Sequence, residues 1–243
     1  MTSFGFQLYS LRAVDDQLPT VIERVGETGL EGVEFAGLGD ADVESVDAAM
    51  DRSGLSAAGA HVALDEIEAD AGGVAETYRE LGCETVAVPW LDPEHFASEP
   101  AVEETAERLS NAAAALAEHG LELHYHNHDQ EFAELDGRPA LVHLLEATDD
   151  VGLQLDLGWV GAAGYEPLSF LEAHAERIDL VHLKDYDAAA GETVEAGEGD
   201  LDIGATVELV RDLEFEWLVY EAEDRPDSYG TLDHAADIVE AHW

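Results

Sequence analysis

Eight short apolar runs, each followed by a longer amphipathic or alanine-rich segment, divide this chain with a regularity that few folds satisfy. The runs cover 4–9, 32–35, 56–61, 85–89, 121–126, 151–156, 178–183 and 217–221, and read as strands. The segments between and after them, 17–28, 42–53, 66–81, 101–119, 139–147, 167–175, 204–213 and 228–241, read as helices. Gly29, Gly54, Gly82 and Gly120 stand just past four of them, where a helix stops most easily. A strand–helix order repeated eight times argues for a parallel (β/α)8 TIM barrel, because an open sheet of eight such units is the rarer solution. No linker or low-complexity stretch interrupts residues 1–243, so a single barrel domain is expected.

Barrels of this kind keep their active sites at the C-terminal ends of the strands, and the unusual polar residues gather there. His126 closes the fifth run, Asp156 the sixth and Glu221 the eighth. His182 and Lys184 end the seventh on one face, since strand side chains alternate. Lys184 is the only lysine; the other nine basic residues are arginines, set against 56 acids. A chain that has nearly eliminated lysine has little structural use for one at a strand mouth. The structural alternative is a rim ion pair with Asp185 or Asp156.

His126, Asp156, His182 and Glu221 together offer two imidazoles and two carboxylates. That mixed set suits one divalent ion, Mn²⁺ first, with Co²⁺, Fe²⁺, Zn²⁺ or Mg²⁺ as alternatives. Residues 124–131, His-Tyr-His-Asn-His-Asp-Gln-Glu, form the densest polar cluster. Within it Asn127 and His128 are read as substrate-positioning residues, and His124 as packing inside the barrel. His61 at the end of the third run, Glu34 near the end of the second, and Arg225 after the eighth are further substrate-binding candidates.

A formal charge of −46 at pH 7 disfavours a nucleic-acid partner, which needs a basic footprint. Acid and arginine with almost no lysine suggest adaptation to a salt-rich cytoplasm, where a Debye length of about 3 Å at 1 M screens the repulsion. Hydrophobic residues at 46% are enough for a core. Cys83 is alone and cannot form an internal disulfide. No apolar stretch approaches the ~20 residues that span a bilayer, and the N-terminus lacks a signal-peptide pattern. A cytoplasmic chain is expected; its oligomeric state is left open.

With those residues assembled, the chain resembles the xylose isomerase-like TIM barrels of the sugar phosphate isomerase/epimerase family. The family includes D-tagatose 3-epimerase-like enzymes, inosose dehydratases and 3-keto-glycoside-cleaving enzymes. The resemblance runs the length of the chain. It rests on Gln7-Leu-Tyr-Ser-Leu-Arg12, Gly32-Val-Glu-Phe35, Tyr125-His-Asn-His128, Leu155-Asp156, His182-Leu-Lys-Asp185, Gly197-Glu-Gly199 and Glu221. It implies metal ligation by the strand-5 residue, Asp156, His182 and Glu221. Two departures stand out: many such epimerases carry Glu where this chain has His126, and His where it has Trp159. Relatives that catalyse elimination are more similar at strand 5.

The activity expected is therefore metal-assisted proton abstraction next to a carbonyl, through an enediolate, with Glu221 as base and Lys184 near the developing oxyanion. Isomerisation or epimerisation is the leading outcome, and a lyase reaction of the inosose dehydratase or keto-glycoside-cleaving kind is the alternative. The acidic strand-7 loop, 185–200, argues for an unphosphorylated sugar, keto-sugar or inosose. An apurinic endonuclease or a non-catalytic sugar-binding barrel stands further off.

Overall fold

The structure, a computed structural model, describes residues 2–223 and 228–243. Its eight barrel strands are β1 (Ser3–Gln7), β2 (Gly32–Phe35), β3 (Ser56–His61), β4 (Thr85–Val88), β5 (Glu122–His126), β6 (Val151–Asp156), β7 (Ile178–Leu183) and β8 (Trp217–Tyr220). They pair in parallel in sequence order, and β1 pairs with β8 to close the barrel. The helices are α1 (Leu18–Gly26), α2 (Val43–Ser53), α3 (Leu64–Glu80), α4 (Glu99–Ala117), α5 (Ala140–Ala147), α6 (Leu157–Ala162), α7 (Pro167–His174), α8 (Ile203–Asp212) and α9 (Ser228–His242). The (β/α)8 expectation is met, each strand lying within two residues of its expected ends.

Local signals explain the boundaries. Asp42 caps α2 by accepting from Ser45 N at 2.9 Å, and Gly54 ends it at φ 67°. Ser98 caps α4, with Pro100 inside the first turn, where its missing N–H costs nothing. The outward residues of the strands join the apolar stripes of the helices in one large core, which includes Phe4, Phe6, Val33, Phe35, Leu109, Leu116, Leu153 and Leu155.

A second, smaller cluster of Ala58, Leu180, Trp217 and Val219 fills the barrel interior. Leu180 lies on the same strand face as His182, and Val219 on that of Glu221, so apolar packing forms a floor under the polar strand ends. Trp217 needs room to do this. A Cβ at Gly32 would stand 2.5 Å from its ring, so glycine there is a packing requirement.

Some short features escape the periodicity reading. Helix α6 starts directly after β6, and the strand-7 loop folds into a hairpin, Asp185–Asp187 against Glu192–Val194. Elements of three to six residues are too short to show a repeat. One acid of this loop does not face solvent. Asp185 is fully buried and accepts from the backbone N–H groups of Tyr186, Gly197, Gly199 and Leu201 at 2.7–3.0 Å.

Candidate active site

The C-terminal strand ends converge as the sequence suggests. His126, Asp156, His182 and Glu221 are all buried, and one ligand atom from each lies within 4.8 Å of the others. His61, His126 and His182 form an overlapping group of the same kind. Each arrives from a different strand, so the site exists only when the barrel is closed.

Asp156 divides its carboxylate between two tasks. Oδ1 caps α6 by accepting from Trp159 N at 2.9 Å. Oδ2 is buried and receives no aligned hydrogen bond, although Lys184 Nζ lies 3.0 Å away. Asn127 fixes the backbone at this point, accepting from Asp156 N at 3.0 Å and donating to Asp156 O at 3.3 Å.

His182 lies between two carboxylates, with Nε2 2.6 Å from Glu34 and Nδ1 2.8 Å from Glu221. Burial alone would lower its pKa, but Glu34 and Glu221 outweigh burial and hold it at about 10. Lys184, 1% exposed, reaches Asp156 at 3.0 Å, Glu221 at 3.1 Å and Glu223 at 2.6 Å. Those carboxylates overcome its burial and raise its pKa. Burial would raise Glu221, yet Lys184 and His182 hold it well below the usual carboxylate range. Burial prevails at Asp156, whose pKa is raised despite Lys184. Burial, then the neighbouring imidazoles, push His126 well below its ordinary value, which keeps it a neutral lone-pair donor.

Four carboxylates, those of Glu34, Asp156, Glu221 and Glu223, thus face two cations, His182 and Lys184. The excess of negative charge, the unfilled Oδ2 of Asp156 and the mixed N/O donor set all suit a divalent cation.

The other expected residues divide by position. His61 and His128 line a cavity of about 1090 Å³ above this cluster, with Tyr9, Trp90, Trp159, Glu221 and Glu223 also in its wall. Glu34 does not reach the cavity. It is fully enclosed, held by Gln7 Nε2 at 2.6 Å, Gln154 Nε2 and His182. Asn127 is likewise buried and serves the β5–β6 junction. Arg225 lies outside the described residues. Lys184 pairs with Asp156 but not with Asp185, whose carboxylate is taken by the loop.

Three participants were not singled out from sequence. Gln154 accepts from His61 at 2.6 Å, is 3.0 Å from His126 Nδ1, and donates to Glu34. Gln7 secures Glu34 from β1, and Glu223 binds Lys184. Gln154 was within reach of the alternation argument, being two residues before Asp156 and on its face. Glu223 lies beyond the strand, in a segment where so many acids carry no signal.

Comparison with known proteins agrees with this architecture. The family model described as xylose isomerase-like TIM barrel matches residues 22–242. Inosose dehydratase of Clostridium perfringens is 28% identical over 171 residues, which cover 60% of this chain and 56% of that protein. The match thus spans little more than half the length of that relative. Inosose dehydratase of Geobacillus kaustophilus is 25% identical over 248 residues, covering 85% and 80%. A sugar phosphate isomerase/epimerase structure from Parabacteroides distasonis superposes with a TM-score of 0.83 at 19% identity, covering 99% of this chain and 94% of that one.

Proposed function

The chain belongs to the xylose isomerase-like TIM barrel family, and from its site we propose a divalent-metal-dependent enzyme that removes a proton next to a carbonyl of an unphosphorylated sugar, keto-sugar or cyclitol. The observation that carries this reading is the position of Glu221. Its carboxylate belongs to the donor cluster, lies 3.1 Å from Lys184, and lines the cavity.

His126, Asp156, His182 and Glu221 would hold the ion, which supplies Lewis-acid polarisation of the substrate carbonyl when bound. Glu221 accepts the proton. In the free enzyme Lys184 and His182 keep it ionised at the expense of basicity. When Lys184 turns from Glu221 toward an oxygen gaining charge, that basicity returns where the proton leaves. Glu34, Gln7 and Gln154 hold His182, His61 and His126 in place from below. The indoles of Trp90 and Trp159 offer apolar faces to a sugar ring. The described wall of the cavity contains Glu66, Asp70, Glu221 and Glu223 but no arginine, and the lysine behind it, Lys184, is already shared by three carboxylates, which supports a substrate without phosphate.

Return of the proton to the other carbon or the other face gives isomerisation or epimerisation. A second reading, loss of a β-hydroxyl or β-alkoxyl group, is favoured by an imidazole at the strand-5 ligand position and by the inosose dehydratase relatives. Ketoses, inososes and 3-keto-glycosides should be incubated with the protein and Mn²⁺ in D₂O at molar KCl. Metal-dependent deuterium uptake at the carbon beside the carbonyl is the expected result, reduced at least about 10²-fold in Glu221→Gln. Product analysis then assigns isomer or dehydrated sugar, and no exchange with any panel member would remove the reading.

A further inference from the structure

The opposite mouth of the barrel carries another group of metal-type donors. Glu122 opens β5, His124 follows two residues later, and Asp179 is the second residue of β7. Their ligand atoms lie within 4.8 Å of one another. The donors sit two strands apart, and the intervening strand is shaped to let them meet. His124 pairs in register with Gly152 of β6, where a Cβ would stand 2.4 Å from its Cδ2 and 2.6 Å from its Nε2. The imidazole thus occupies the space of the missing β6 side chain, and its Nε2 comes 3.5 Å from Asp179 Oδ2 on β7. Asp179 reaches this place through a shift in register. Leu153 pairs with Ile178 and Gln154 with Leu180, which leaves Asp179 as the extra residue of a bulge, a device that re-aims a side chain.

His124 is 2% exposed and forms no hydrogen bond among the described residues, and 3.5 Å to Asp179 is too long for a strong one. Carboxylates continue around it: Glu84 and Glu216 lie close enough to Glu122 and Asp179 to join the same negative field. Arg177, the arginine in the adjoining cavity wall, does not answer them. Its guanidinium donates to the carbonyls of Leu145, Thr148 and Val151.

We propose that Glu122, His124 and Asp179 form a second divalent-cation site, separate from the candidate active site, that ties β5 to β7 at the base of the barrel. One imidazole with carboxylates selects a borderline transition-metal ion such as Zn²⁺ or Co²⁺ over Mg²⁺ or Ca²⁺. Both carboxylates are solvent-accessible, so the ion can enter without the barrel opening.

Co²⁺ is the probe, titrated in 1 M KCl and followed by equilibrium dialysis and visible absorption. The unaltered chain should bind two ions, and Glu122→Gln/Asp179→Asn should bind one while keeping its Mn²⁺-supported activity. A variant cleared at the upper site, Asp156→Asn/His182→Ala, should still bind one. Adding the Glu122 and Asp179 changes should weaken that binding at least tenfold. Circular dichroism checks that each variant is folded; if the upper-site variant is not, the stoichiometry of the first pair decides. The proposal falls if Glu122→Gln/Asp179→Asn binds Co²⁺ with unchanged stoichiometry and affinity. It falls equally if Mg²⁺ displaces the lower ion as readily as Zn²⁺, which would mark diffuse attraction to an acidic surface.

Discussion

Replacing Lys184 with Met removes the positive charge that three carboxylates share. From sequence, Lys184 reads as a group near the developing oxyanion whose loss leaves folding intact, with a rim ion pair as the alternative. The structure buries it to 1% exposure, within 3.1 Å of Asp156 and Glu221 and 2.6 Å of Glu223. Methionine fills the same volume but leaves those acids facing one another without a counter-charge. Breaking a buried ion pair from one side costs about 3–5 kcal/mol. At roughly 2–4 °C per kcal/mol for a domain of this size, the metal-free melting temperature should fall by about 6–20 °C. Mn²⁺ should restore part of the loss, because an ion at a hundredfold its Kd returns about 2.7 kcal/mol. Turnover per folded molecule should fall about 10²-fold or more, the scale of one oxyanion-directed donor. Melting curves with and without Mn²⁺, and rates on the same preparation, measure all three. A variant that keeps both its melting temperature and its rate would refute the charge argument. One that loses stability alone would leave Lys184 a structural ion pair.

Asp156→Asn and His182→Ala should each abolish tight Mn²⁺ binding at the upper site, measured by dialysis and elemental analysis; full occupancy in both would remove the ligand assignment. Burial pushes the Glu131 carboxyl up to about 7, so the folded chain holds that proton more firmly than the unfolded one. Its contribution is complete below its ordinary value of 4.5 and is lost as the pH rises through about 7. Between pH 4.5 and 8, urea titrations should show wild type losing on the order of 3 kcal/mol more than Glu131→Gln, and equal losses would contradict the shift. Of matched sugars with and without phosphate, the neutral member should have the higher kcat/KM. A tenfold preference the other way, about 1.4 kcal/mol, would overturn the reading of the acidic wall.

The barrel was legible in the eightfold strand–helix repeat, and the convergence of His126, Asp156, His182 and Glu221 in their common place at strand ends. Strand ends could be placed to within two residues, and alternation assigns a face to every side chain. Position along the barrel axis was harder to judge. Glu34 and Asn127 looked like substrate contacts, yet both are enclosed: Glu34, one layer down its strand, meets side chains of neighbouring strands, and Asn127, one residue past β5, is bound to the Asp156 backbone. The bulge between Val33 and Glu34 also alters how Glu34 sits against β3, and no local pattern announces it. Glu223 was hidden by composition, because one acid among 56 is not conspicuous. His124 shows the opposite case: its face was legible, but its meeting with Asp179 depends on a glycine and a bulge on two other strands.

The divided carboxylate of Asp156 has a consequence for how the upper site would acquire a divalent ion. Because Oδ1 is fixed by the first turn of α6, the side chain has already surrendered its rotational freedom before any cation arrives, and Oδ2 waits in a set direction. Ordering a free side chain costs about 0.5–1.5 kcal/mol on binding, and here folding has absorbed that cost. A preset donor also holds its direction for every divalent ion alike. Choice among Mn²⁺, Co²⁺ and Zn²⁺ would therefore shift to the softness of the two imidazoles and to which ion the surroundings supply, and exchange of one for another would require no refolding of the strand ends.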